Sequence, residues 1–331
     1  MTANSENNAC AFKTSIGGQA LIEGILMRGP EKQSIVCRLS DGTLKEKVEP
    51  IRSSPIAKIP FLRGIPVFIS SMANGMKAIT YSAEQLPEDQ QEQPTKFDLW
   101  IQEKLGGEKA EKLLLSVAVV LGAALAIGLF VLLPAFLFQL LPGDFRKEHL
   151  VLSCLLEGVL RICIFLAYLW LVTRMEDIKR LFSYHGAEHK SIFCYEKGLE
   201  LTVENVRQQS RFHPRCGTSF LVVTMLISIL VVALMTWVLS LIPGYTAMTG
   251  APQYLIRVLG KLIVLPVILS LTYELNRWVG GHDGNPIARI AAWPGKQIQH
   301  LTTREPDDGM IECAIQALRL VIPEEKGADA W

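Results

Sequence analysis

The chain has almost no net charge. Its 331 residues carry 33 Lys and Arg against 32 Asp and Glu, a formal +1. That balance excludes a chain-wide affinity for nucleic acid, and no specific nucleic-acid partner is expected. A phosphate-binding loop is missing too. Gly17-Gly18 and Gly24 are not followed by the Lys-Ser/Thr ending such a loop needs. Residues 1–15 are polar and lack an apolar core, so no cleavable signal peptide is expected. No internal repeat is found. Charge is also missing locally, and there its absence is informative. Residues 113–141 and 218–242 contain no Asp, Glu, Lys or Arg.

What is present fits those gaps. Half the residues are apolar and the mean hydropathy is +0.28. The apolar residues are concentrated in blocks. A helix needs about 20 apolar residues to cross a bilayer. Leu113–Leu141 exceeds that, so it should tilt, or kink at Pro134. Leu150–Val172 is interrupted only by Glu157 and Arg161, and Thr218–Ile242 is uncharged. Leu255–Tyr273 carries Arg257 and Lys261. Four transmembrane helices are predicted. Buried helices of a soluble protein do not require uncharged runs of this length.

Basic residues orient the spans. Residues 1–112 hold 14 Lys and Arg, 173–217 hold eight and the segment after Tyr273 holds six, whereas 142–149 hold two and 243–253 none. The positive-inside rule then puts both termini and the long central loop in the cytoplasm. Cys10, Cys37, Cys154, Cys163, Cys194, Cys216 and Cys313 all fall in cytoplasmic or membrane segments, so a disulfide framework is not expected. Inside the spans, Glu157 can pair with Arg161 at i+4, or across helices with Lys261 or Arg257. A structural ion-pair cluster is expected there, with an ion pathway as the alternative.

Outside the membrane, 1–15 reads as a disordered start and 16–58 as a small β-rich module. Ser34–Ser40 and Thr43–Glu49 flank Asp41-Gly42, a hairpin signal. Another strand is expected from Gln19 to Met27. Glu23 within it is either a buried functional acid or an outward strand position. Segment 59–84 reads as an amphipathic helix on the membrane surface. Segment 85–112 reads as a polar linker, Leu86–Thr95, and a charged helix, Phe97–Lys112. The first hairpin of spans covers 113–172 and the second 218–273. In the loop 173–217, span two continues as helix, and Leu199–Gln209 forms a short helix capped by Thr202. In the tail 274–331, a Gly-rich turn at 279–286 precedes a helix starting near Asp307-Asp308.

Two motifs carry chemistry. His185-Gly186-Ala187-Glu188-His189 places two histidines at i and i+4, on one helix face, where they can chelate one metal ion. Glu188 could act as a base on water, and H-x-x-E-H is the inverted metalloprotease pattern. His213-Pro214-Arg215-Cys216-Gly217 supplies His213 and Cys216, either of which could complete a zinc site. Four protein ligands would make a closed structural site, and three would leave room for water. Cys194 is a substitute ligand or a packed thiol. His282-Asp283 is a turn, or supplies a supporting carboxylate.

The strings GGQALIEGILMRGP (17–30), YHGAEHKSIFCYE (184–196), LTVENVR (201–207), HPRCGTSFL (213–221) and LTTREPDD (301–308) resemble the YqhQ-like family of bacterial membrane proteins of unknown function. The resemblance spans about Ile16 to Ile322. Members carry a label as metal-dependent enzymes but no established reaction. The resemblance implies His185, Glu188, His189, His213, Arg215 and Cys216 as site residues. The expected fold is a mainly α membrane protein, four transmembrane helices with a composite α+β cytoplasmic domain. The expected function is a zinc-dependent hydrolase or peptidase at the cytoplasmic membrane surface. Its metal ligands would be His185, His189, His213 and Cys216, and its catalytic residue Glu188. The alternative is a non-enzymatic accessory factor that works with membrane-protein insertion or assembly machinery. The expected partners are the lipid bilayer and either that machinery or other membrane proteins.

Overall fold

The short apolar runs after Ser15 pair into an antiparallel meander. In the computed structural model β1 (Gly17–Leu21), β2 (Gly24–Arg28), β3 (Lys32–Arg38) and β4 (Leu44–Pro50) form one four-stranded sheet in that order. The structure describes residues 12–51, 56, 59–87, 100–101, 103–104, 106–140, 145, 149–245, 247–248, 250–282, 284–325 and 327–331. Cys10, Asp283 and most of the linker 86–95 lie outside them.

Asp41-Gly42 lies in the β3–β4 turn. Gly42 has φ +83, and Asp41 Oδ1 accepts the Thr43 N–H at 2.9 Å. The stretch 19–27, expected as one strand, is instead two. The chain reverses at Ile22-Glu23, with Glu23 at φ +48. Glu23 is therefore neither a strand position nor a buried catalytic acid. Its carboxylate accepts from Arg180 Nε at 2.5 Å, Arg180 Nη2 at 2.6 Å and the Tyr184 hydroxyl at 3.1 Å. This bidentate anchor offsets the left-handed backbone.

The sheet is covered on both faces. On one side Leu21, Leu26, Ile35 and Cys37 pack with Ala78 of α1 (Gly64–Ala83). On the other, Ile25, Met27 and Val36 pack with Tyr184, Ala187, Met310 and Leu318. That double burial explains why β2 is apolar along its length rather than alternating. β4, polar and exposed, forms one edge. The chain splits into two compact units. One comprises Met1–Glu88, Leu169–Thr224 and Leu269–Trp331; the other comprises Asp89–Tyr168 and Met225–Ile268. In the first, residues 12–15 depart from the expected disordered start. Thr14 is buried, bridges to Ala330, and donates its hydroxyl to Asp329 at 2.6 Å.

Four helices are long and apolar enough to cross a membrane: Leu113–Phe138, Leu152–Val172, Gly217–Ser240 and Ala251–Gly281. The first is built from α2 (Gly107–Ile127), a wide π turn (Gly128–Leu132) and α3 (Leu133–Gln139). The π turn stands just before Pro134, which cannot donate to a carbonyl in the preceding turn. The charged helix expected across 97–112 is broken at Gly106, whose φ is +78. Span two, α4 (Leu150–Val172), also ends sooner than expected. After Met175 a separate helix begins, α5 (Glu176–Glu196). A short α6 (Val203–Arg207) follows, with Thr202 Oγ1 capping the Asn205 N–H at 3.3 Å. Spans three and four are α7 (Gly217–Ser240) and α8 (Ala251–Gly281). Two more helices close the chain, α9 (Pro286–Thr302) and α10 (Asp308–Arg319).

The intramembrane charges meet. Glu157 on α4 accepts from Arg257 Nη2 at 3.0 Å and from Lys261 on α8, with Arg161 at 3.5 Å. A lone buried charge is costly in an apolar surround. Reversal of Glu157 alone, which sets four cations together with no acid among the described residues, should therefore lower the melting temperature in detergent. The exchanged pair Glu157→Lys with Lys261→Glu should recover most of the loss. A double variant as unstable as the sum of its parents would show that the pair is not coupled.

Candidate metal centre

Helix α5 begins with Glu176 and Asp177 in its first turn, where the helix dipole favours acids. Its C-terminal half is buried and packs against β1, β2, α6 and α10. His185 and His189 share a face there, with ring centroids 4.3 Å apart. Each ring is oriented from behind. His185 Nδ1 lies 2.8 Å from the Thr302 carbonyl, and His189 Nδ1 lies 2.5 Å from the Arg211 carbonyl. A carbonyl only accepts, so each Nδ1 carries a hydrogen, and in the neutral form of each ring Nε2 has the lone pair a metal ion needs.

The third donor is Cys216. Its Sγ lies 3.1 Å from His185 Nε2 and accepts the Thr218 N–H at 3.4 Å. Donor atoms of His185, His189 and Cys216 all lie within 4.8 Å of one another. His189 Nε2 is buried and has no partner. Two neutral imidazoles and a thiolate are a donor set suited to zinc, and the orphaned nitrogen is an observation that fits such an ion.

His213 is not brought into this group. Its Nε2 lies 3.5 Å from Glu196 Oε2, and its Nδ1 accepts the Arg215 N–H at 3.3 Å. Glu196 is also held by Arg215 and by the Thr14 N–H at 2.9 Å. The reason is local. Buried Gln299 of α9 accepts the His213 N–H at 2.8 Å and donates to its carbonyl at 2.7 Å, which fixes the turn leading to Cys216. A closed four-ligand centre is thus not assembled among the described residues. Cys194 donates weakly to the Glu200 carbonyl at 3.5 Å and packs with Val206 and Ile311, so it is a packed thiol. His282 bonds the Trp278 carbonyl at 2.8 Å and stacks on that ring, as a helix-end turn would. Arg215 lies over the Trp331 ring at 5.5 Å.

Glu188 faces the same space. Its Oε1 accepts the Gly18 N–H of β1 at 3.0 Å, while Oε2 is buried without a partner. Glycine is required at 18. A Cβ there would stand 2.6 Å from the Leu26 carbonyl oxygen and 3.0 Å from Glu188 Cδ. A cleft of about 410 Å³ opens onto Glu188, His189 and Cys216, with Gly17, Gly18 and Trp331 in its wall.

The electrostatics are coupled. Burial pushes the Glu188 carboxyl up, against the pull of His185 and His189. Burial also opposes the Cys216 thiolate, but His189 and His185 outweigh it and hold the thiol well below its ordinary range. His185, despite burial, is pushed up to about 9 by the Cys216 sulfur. Without a metal, the two form a thiolate–imidazolium pair. His213 goes the other way: burial, then neighbouring His189, pushes it down to about 3. In an unfolded chain this ring titrates near ~6.5. The neutral ring's contribution to stability is therefore complete above about pH 6.5 and is lost as pH falls toward 3. Chelator-treated protein should melt progressively lower between pH 7 and pH 5, and His213→Asn should flatten that slope. Equal slopes in both proteins would assign the loss to other groups.

Gln299 and the Arg211 carbonyl support the site from positions that sequence reasoning did not single out, whereas Thr302 falls in the string 301–308. Asn285 and Pro286 are ordinary signals for the start of α9: the Asn285 side chain accepts the Ile287 N–H at 2.8 Å. Pro294 and Gly295 in its middle obscure them.

Residues 59–324 match a family described as a protein of unknown function, DUF1385. The chain belongs to that family. It is also similar to the "Uncharacterized protein YqhQ" of Bacillus subtilis (strain 168), at 33% identity over 305 residues, covering 91% of this chain and 90% of the relative. No solved structure matches. The match takes in α5, the Cys216 turn and α9, and so every donor of the candidate centre.

Proposed function

We propose that this DUF1385 protein is a membrane-embedded, zinc-dependent hydrolase acting on a carbonyl substrate such as a peptide. The observation that carries the reading is the cluster of three donors, two of which, His189 and Cys216, share one cleft with Glu188 and its unpartnered Oε2. Three protein ligands leave a position free for chemistry, where four would close it. A divalent ion held by His185, His189 and Cys216 would polarise water and the substrate carbonyl. The protein's own groups do the rest. Thr302 and Arg211 carbonyls hold the rings in one tautomer. Gly18 holds Glu188 by one oxygen and leaves the other to accept a proton from attacking water. A buried carboxyl pushed upward is suited to pass that proton on to the leaving group.

The cytoplasmic side is part of the same proposal and rests on the basic residues. The segments that build the metal-bearing unit are those rich in Lys and Arg. Zinc-loaded protein in detergent should cleave members of a quenched fluorescent peptide library. Glu188→Gln should keep its zinc and lose roughly a hundredfold or more in rate. A metal-loaded wild type without hydrolysis, or a Glu188→Gln variant of full activity, would leave the centre a structural staple, as the accessory-factor reading has it.

A further inference from the structure

Within the spans, three cations share one carboxylate. Glu157 is 2% exposed and is reached by Arg257, Lys261 and Arg161. Arg161 also donates to Ser228 Oγ of α7 at 3.1 Å. Among the described residues no second acid pairs with these cations. Arg161 Nε, Arg257 Nε and Ser153 Oγ are buried with no partner at all. Ser153 lies one turn before Glu157 on the same face of α4.

A structural ion pair does not account for this composition. One acid needs one cation, and the cluster has a formal excess of two positive charges. Even a neutral Lys261 would leave two guanidinium groups, which do not deprotonate in proteins, against one carboxylate. Buried charges persist when they are paired, and buried donors when they are bonded. The missing component is an anion with several acceptor oxygens.

We infer that Ser153, Arg161, Arg257 and Lys261 form a binding site for an anionic phosphate group, supplied by a lipid headgroup or by free phosphate. The planar forks of two arginines match the oxygens of a phosphate, and the serine hydroxyl and lysine add single donors. Glu157 then serves as a built-in competitor, holding the cations in place and weakening the hold on the anion.

The test uses the full chain in neutral detergent, stripped of lipid. It is titrated separately with inorganic phosphate, short-chain phosphatidylglycerol and short-chain phosphatidylcholine. Saturable binding of phosphate or phosphatidylglycerol, but not phosphatidylcholine, is expected. Arg257→Gln and Arg161→Gln should weaken it by roughly tenfold or more. Glu157→Gln should strengthen it, a gain that misfolding cannot imitate. Binding of phosphatidylglycerol alone identifies a lipid headgroup, and competition by phosphate at similar concentration identifies a free anion. A wild type that binds neither overturns the inference, as does binding unchanged by both Arg257→Gln and Glu157→Gln.

Discussion

Cys216→Ala protein should purify without zinc, while His213→Ala protein should retain it. The two residues sit three apart in one short motif, and either has the chemistry of a ligand. Geometry separates them. Cys216 Sγ lies 3.1 Å from His185 Nε2, whereas His213 Nε2 points to Glu196 at 3.5 Å. Removing a thiolate leaves only two imidazoles, and displacing even a supporting hydrogen bond at such a site costs on the order of 10- to 100-fold in affinity. Loss of a ligand itself should therefore take stoichiometric zinc to near zero after dialysis. His189→Ala should behave like Cys216→Ala. His213→Ala instead removes a partner of Glu196, so its effect should be on the melting temperature. Metal analysis beside thermal unfolding separates the two. Zinc retained in Cys216→Ala but lost in His213→Ala would reverse the assignment. Binding of metal should also release protons, because it replaces the one held by the thiolate–imidazolium pair, and affinity should fall as pH drops.

Much of this was legible in the residues. Long uncharged runs marked the spans because hydrocarbon tolerates little else, and helical spacing paired His185 with His189. The choice between His213 and Cys216 was not legible. It depends on Gln299, 86 positions away in the chain, gripping the backbone of the turn. The first hairpin was missed because Ile22-Glu23 lacks the usual Gly or Asn. Its left-handed residue is compensated by a distant arginine that local rules do not register. α9 was missed because a Pro-Gly pair reads as a break. Here Gly295 allows a close approach: a Cβ would come 2.5 Å from Ser219 Oγ. Where tertiary contacts overrode local preference, the residues concerned support the candidate centre.

Gly186→Ala should be among the most damaging single changes in the chain, against the local preference. On an isolated helix the substitution would stabilise by about 1 kcal/mol. In α5 a Cβ at 186 would be driven into the backbone carbonyl oxygen of Arg304, with Pro306 close behind. That backbone cannot easily move. Arg304 N–H donates to the Phe182 carbonyl at 2.8 Å, and Thr302 accepts from His185 at the same distance. Overpacking a rigid contact costs about 1–3 kcal/mol, occasionally more. A net loss of about 2 kcal/mol and a melting point lower by several degrees are expected. Gly309→Ala is the control. Its Cβ would also collide, but with the end of the Arg38 side chain, which is flexible and partly exposed. That variant should melt near the wild type. Because the segment running from Thr302 to Pro306 must shift to admit a methyl group at 186, Gly186→Ala should also bind zinc more weakly. A Gly186→Ala protein with wild-type melting and wild-type zinc affinity would mean that the 302–306 segment is free to move, and that its carbonyl does not orient His185.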